Sequence, residues 1–131
     1  MAHRRKDPMR RDVHIFAKAA GVVTEGDLLM KNGTSKNVTS WTTGSAVLGI
    51  CTKTQLTGDT TCLVDILKPG DWVTSDVTGT PASGDIISCD LSATNALIAT
   101  NTNHDALYIY NSSSTTVDIC PKKLETTNFA A

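Results

Sequence analysis

Aromatic residues are scarce in this chain: two Trp, two Tyr and two Phe make up 5% of its 131 residues. Sugar-binding surfaces are usually built on aromatic platforms, so a carbohydrate-binding or adhesion module, an alternative for a β-rich chain, starts with thin material. Histidine is limited to His3, His14 and His104, and none has a second N or S ligand at the close spacing of a zinc motif. The four cysteines, Cys51, Cys62, Cys89 and Cys120, form no Cys-x-x-Cys pair. No apolar stretch near the start resembles a secretory signal, so the expectation is reduced, buried thiols on strands. The glycosylation-type triplets at Asn32, Asn37 and Asn111 then read as chance products of a chain rich in Asn, Ser and Thr. No apolar run approaches the roughly 20 residues that span a bilayer, which implies a soluble protein with no membrane partner.

A catalytic constellation is missing as well. Gly21 to Gly26 has the glycine spacing of a phosphate-binding loop, but Asp27 stands where that motif needs Lys, and its charge would repel a phosphate. No nucleophile, base and orienting group can be nominated together. The expectation is therefore no enzyme, no catalytic residue, no cofactor and no metal.

What the chain has instead is a recurring corner. Gly26-Asp27-Leu28-Leu29, Gly70-Asp71-Trp72-Val73 and Gly84-Asp85-Ile86-Ile87 each set a Gly-Asp pair before two apolar residues, and Gly21 and Gly79 each stand five residues ahead of their pair. Glycine reaches φ > 0 without a Cβ clash and aspartate bonds nearby backbone, so each pair reads as a tight turn that launches a strand. Gly26, Asp27, Gly70, Asp71, Gly84 and Asp85 are thus structural turn residues, with the aspartates facing water.

Between the corners, alternation with period two marks strands. Asp12 to Ala19 has the strand period, Val13, Ile15, Ala17 and Ala19 alternating with Asp12, His14, Phe16 and Lys18, although its alanines fit a short helix as well. Asp27 to Lys31 follows, then a polar loop from Lys31 to Gly44 that holds Trp41. Ala46 to Lys53 reads as buried, with Gly49 allowing a close approach, and Thr60 to Leu67 is apolar on both sides and so central. Further strands are expected at 72–75, 85–91, 96–100, 106–110 and 115–120, with 91–99 fitting a short helix as well. From Pro121 the pattern stops, and Phe129 is left as an anchor for the tail. The spacing predicts an all-β fold, a small single-domain barrel or sandwich of short strands over residues 13–131.

Residues 1–12 look different. The first eleven hold Arg4, Arg5, Lys6, Arg10 and Arg11 against one acid, Asp7, while the remainder carries seven bases and twelve acids. With little apolar material and Pro8 breaking any helix, this segment is predicted to be a basic, extended N-terminal arm that is mobile alone. An arginine-rich arm can bind nucleic acid, but the acidic body lacks an interleaved basic and aromatic face, so no direct nucleic-acid partner is expected.

Over residues 13 to 90 the chain resembles the head decoration (capsid cement) proteins of tailed bacteriophages. The residues that carry the likeness are Ala20-Gly21-Val22-Val23-Thr24-Glu25-Gly26-Asp27, Val47-Leu48-Gly49-Ile50, Thr57-Gly58-Asp59, the strand from Val64 to Leu67, Pro69-Gly70-Asp71 and Gly84-Asp85. The resemblance implies a β-tulip-like body and a structural virion protein, made in the host cytoplasm. It would bind the capsid exterior, usually as a homotrimer, and bridge major capsid protein subunits. Multivalent attachment of that kind combines modest contacts into durable binding. Within this reading the arm is expected to order along the capsid, with Arg4, Arg5, Lys6, Arg10 and Arg11 pairing with capsid carboxylates and an extended backbone adding to a strand edge. Trp41 and Trp72 are further candidates for capsid or subunit contacts, Trp41 also reading as a lid over the core.

Overall fold

A computed structural model describes residues 3–33, 36–80, 87–98, 102–110 and 115–125. Among these the chain forms eleven strands: β1 (His3–Arg5), β2 (Val13–Lys18), β3 (Leu28–Lys31), β4 (Asn37–Ser40), β5 (Gly49–Cys51), β6 (Thr61–Ile66), β7 (Val73–Thr78), β8 (Ile87–Leu91), β9 (Ala96–Leu97), β10 (Ala106–Tyr110) and β11 (Thr116–Pro121), with one 3-10 turn at Pro8–Arg10. The fold is all-β, as the strand series implied.

Strands β2, β4, β3, β5 and β6 close a five-stranded barrel in that order. Its one parallel contact joins β2 to β4, and the other four are antiparallel. Alternation sorts its side chains to two sides. Phe16, Leu29, Val38, Leu48, Cys51, Cys62 and Val64 fill the interior, while Leu28 and Ile50 point out of the barrel into a second apolar cluster. Gly49 is obligatory in β5, because a Cβ there would lie 2.2 Å from the Asp65 carbonyl oxygen. Strand β6 is flanked by β2 and β5, as its two apolar sides suggested.

The remaining strands form a sheet in the order β1-β7-β11-β10-β8-β9, with a further pairing of β7 to β9. That pairing brings the sheet back to β7, so β7, β9, β8, β10 and β11 make a second five-membered ring. Its order and strand directions match the first barrel: one parallel contact, β7 to β9, and four antiparallel ones. The registers match all the way round. With Leu29 of β3 placed on Ile87 of β8, they carry Gly49 onto Tyr108 and Val64-Asp65-Ile66 onto Val117-Asp118-Ile119. An identical Val-Asp-Ile triplet thus occupies the same place in both halves. The chain thus carries one strand topology twice, a structural duplication.

The halves share a core. Val73, Cys89, Leu91, Ala106, Val117 and Ile119 of the second ring pack in one cluster with Leu28, Trp41, Val47, Ile50 and Leu67 from the outside of the first. Backbone bonds cross as well, from Leu28 N–H to the Ala93 carbonyl at 2.8 Å and from Val47 N–H to the Lys123 carbonyl at 2.8 Å.

Three expectations need correction, and strand β2 shows which side of its alternation is buried. Residues 3–12 are not a mobile arm: β1 pairs antiparallel with β7, and Pro8 starts a 3-10 turn capped by the Asp7 side chain. Polar loop 31–44 contains β4, whose polar residues pair with β3 and β2. Strand β2 turns Phe16 and Lys18 inward and leaves Val13, Ile15 and Ala17 outside, because the bulkier Phe16 takes the barrel interior. The stretch 91–99 is a tight connection into β9 rather than a helix among its described residues, closed by the Ser92 N–H bond to the Asn95 carbonyl. Gly84, Asp85 and Phe129 lie outside the described residues.

Candidate functional site

The described Gly-Asp corners share one hydrogen-bond pattern. At Thr24-Glu25-Gly26-Asp27 the Asp27 N–H donates to the Thr24 carbonyl while the Asp27 carboxylate accepts from Thr24 N–H. Lys68-Pro69-Gly70-Asp71 repeats both bonds, and so does Leu56-Thr57-Gly58-Asp59. Gly26 and Gly70 have φ of 91° and 87°, the left-handed region that favours glycine. The corners are structural, but Asp27 and Asp71 are buried rather than turned to water. Burial pushes the Asp27 carboxyl up from its ordinary value, partly offset by the Thr24 amide.

Asp71 belongs to a larger arrangement around the N-terminal strand. Arg5 is 5% exposed at its side chain. Its Nε and Nη2 donate to the two oxygens of Asp65, both at 2.9 Å, and Nη1 donates to Asp71 Oδ2 at 2.9 Å. Nη2 also reaches the Ile66 carbonyl at 2.7 Å. The fork hydrogen-bonded to Asp65 is the first cause that holds the Arg5 pKa above its ordinary value, with Asp71 adding to it against the opposing effect of burial. Burial likewise pushes the Asp71 carboxyl up, but the Lys68 amide, Arg5 and Arg10 together bring it below its ordinary value.

Lys6 reaches over to Asp118, the counterpart of Asp65 in the second ring, and Thr74 Oγ1 donates to the other Asp118 oxygen at 3.0 Å. Two consecutive bases therefore grip the two equivalent aspartates, one in each half. Arg10 Nε lies 2.5 Å from Asp71 Oδ1, and Arg4 is 3.6 Å from Asp76. Arg4, Arg5, Lys6 and Arg10, expected to pair with a partner's carboxylates, pair with this chain's own. Arg11 is exposed. Trp41 is 4% exposed, sits in the shared core and donates from Nε1 to the Ser45 carbonyl at 2.7 Å, so it is a core residue and not a contact surface. Trp72 is half-buried, beside Arg5, Lys6 and Arg10.

The remaining reactive groups are held in the same manner. His3 is buried, with Nδ1 2.6 Å from Ser75 Oγ and Nε2 3.2 Å from the Ser92 carbonyl. His14 bonds Asp12 and His104 bonds Ser88, so each described histidine engages oxygen. All four cysteines are free thiols, and burial pushes Cys62 up to about 11 and Cys89 up to about 12, well above a nucleophilic thiolate. Among the described residues no three His, Cys, Asp or Glu side chains gather as metal ligands, and no helix is long and apolar enough to cross a membrane.

Exposed apolar residues are the feature that sequence reading did not find. Met9 is 91% exposed, Ile15 70% and Val13 37%, the last two adjacent on the outer face of β2. Val22 and Leu56 are also exposed, next to the bridge that pairs Val23 with Gln55. Alternation in β2 marked an apolar side correctly; only the inward turn of Phe16 reveals that this side faces solvent. No protein-family model matches the chain, and no curated protein matches it.

Proposed function

We propose that this chain is a structural virion protein that binds the outside of a tailed-phage capsid and bridges neighbouring major capsid subunits. The observation that carries the reading is apolar surface left open, Met9 and, beside the Val23–Gln55 bridge, Val22 and Leu56, on a body whose buried carboxylates are tied to its own bases. Neighbouring exposed apolar side chains such as Val22 and Leu56 mark a surface for another protein. The pattern of Gly-Asp corners, similar to that of capsid decoration proteins, supports a capsid as the partner. In that family such proteins usually act as trimers, and several contacts per particle make each later contact intramolecular. With Trp41 in the core, a sugar-binding reading loses one of its few aromatic platforms.

Capsid contact through the N-terminal segment is confined to what its internal pairing leaves outside: the exposed Arg11 and the half-exposed Arg10 and Lys6. Co-sedimentation of the full chain with expanded, undecorated capsids of the phage that encodes it tests the proposal. Binding should saturate at a fixed ratio to capsid subunits and weaken when Met9 and Leu56 are both changed to Ser. Absence of saturable binding would refute it.

A further inference from the structure

The duplication shows a place where the two halves differ. In β2 the Asp12 carbonyl accepts from Ile66 N–H and Lys18 N–H donates to the Thr60 carbonyl, so even-numbered residues turn their backbone groups toward β6. Val13 and Ile15 therefore turn theirs to the opposite edge. Strand β4 covers that edge only at Ala17 and Lys18. Among the described residues, nothing pairs with it at Val13 and Ile15.

In the second ring the matching edge is filled. The registers place Val13 on Thr74 and His14 on Ser75. There β9 covers Val77 and Thr78, and β1 runs antiparallel alongside Val73 to Ser75. One half has its neighbour strand; among the described residues the other lacks it.

We propose that the open edge of β2 pairs antiparallel with the β2 of a second copy of this chain, about a two-fold axis at His14. The occupant follows from three features. An antiparallel neighbour is the one β7 accepts at the equivalent position. In the two-fold register Val13 lies opposite Ile15 of the other copy, and Ile15 opposite its Val13, so their exposed side chains meet across the new pair. The devices that guard a bare edge, an outward charge or a proline, are absent from Val13-His14-Ile15, and the adjacent Asp12 is already held by Lys68 and His14. Each copy contributes the N–H and C=O of Val13 and Ile15, and the β2–β6 sheets of two barrels become continuous. This contact does not depend on a capsid.

In this register the two His14 residues occupy a non-hydrogen-bonded pair, whose Cα atoms come within about 4.5 Å. That separation suits a disulfide. The test is oxidation of full-length His14→Cys at a concentration where the wild type self-associates, with the exposed Thr57→Cys as control. The expected product is a covalent dimer whose two copies are joined through the thiols introduced by His14→Cys, found by peptide mass, while the control stays uncrosslinked. Ile15→Pro removes one edge N–H without touching the β6 bonds, and Ile15→Lys sets charges beside the axis. Each should weaken self-association at least about tenfold with the β-rich circular dichroism retained. A monomeric His14→Cys product, or self-association unchanged in Ile15→Lys, overturns the proposal. A trimer in which the introduced thiols stay unlinked refutes this pairing and leaves the capsid reading intact; linked dimers that bind no capsid do the reverse.

Discussion

The imidazole of His3, closed between Ser75 and Ser92, makes stability depend on pH in a defined window. Burial lowers its pKa from 6.5 to about 4, against the opposing bond to the Ser92 carbonyl. Above 6.5 the ring is neutral whether the chain is folded or not, and its full contribution is present. Between 6.5 and 4 the unfolded chain takes up a proton that the folded chain refuses, so stability falls as pH drops, by up to about 3 kcal/mol. Urea unfolding of the wild type at pH 7 and pH 4 should show that loss, and His3→Gln should reduce it; an equal loss in the variant contradicts the assignment. Arg5 gives a second prediction of residue scale. Removing one partner of a buried ion pair leaves the other charge uncompensated, so Arg5→Ala should cost about 3–5 kcal/mol in urea unfolding. Arg5→Lys should rescue little of it, because a single ammonium cannot reproduce the fork that spans Asp65 and Asp71. A loss near zero for Arg5→Ala would show that the cluster is ornamental to stability.

Strand β1 changes the part assigned to the whole N-terminal segment. It fills the edge of β7, gives Arg5 to Asp65 and Asp71, and directs Lys6 to Asp118. Deleting residues 2–11 should therefore lower the melting temperature and cooperativity of the body itself, before any effect on binding is measured. A truncated protein that melts like the full chain would restore the picture of a loose arm. The strands with regular alternation, β6, β10 and β11, were legible in the sequence because their signal is local. Strand β1 was not, since its three residues are polar and basic and their side chains pair with residues 60 or more positions away. Strand β4 hid for a related reason: Asn37, Thr39 and Ser40 read as loop, and only Val38 enters the barrel core. The apolar side of β2 was legible, but which side faces water was settled by Phe16 packing inside.

At the scale of the whole molecule, duplication leaves faint sequence traces: the glycine frame that begins at Gly21 and Gly79, and the two Val-Asp-Ile triplets. Register aligns the triplets, while other equivalent positions carry different residues, as where Gly49 of one barrel stands in the place of Tyr108. Two barrels joined through one apolar cluster and clamped by a single basic segment make a stiff, cross-tied body, which suits a part that bears load between subunits. Heating DNA-filled capsids with and without the bound protein, and following DNA release, tests that role most directly. The account predicts release at a higher temperature for decorated particles, with the gain lost when Met9 and Leu56 are both changed to Ser. Equal release temperatures at full occupancy would contradict it.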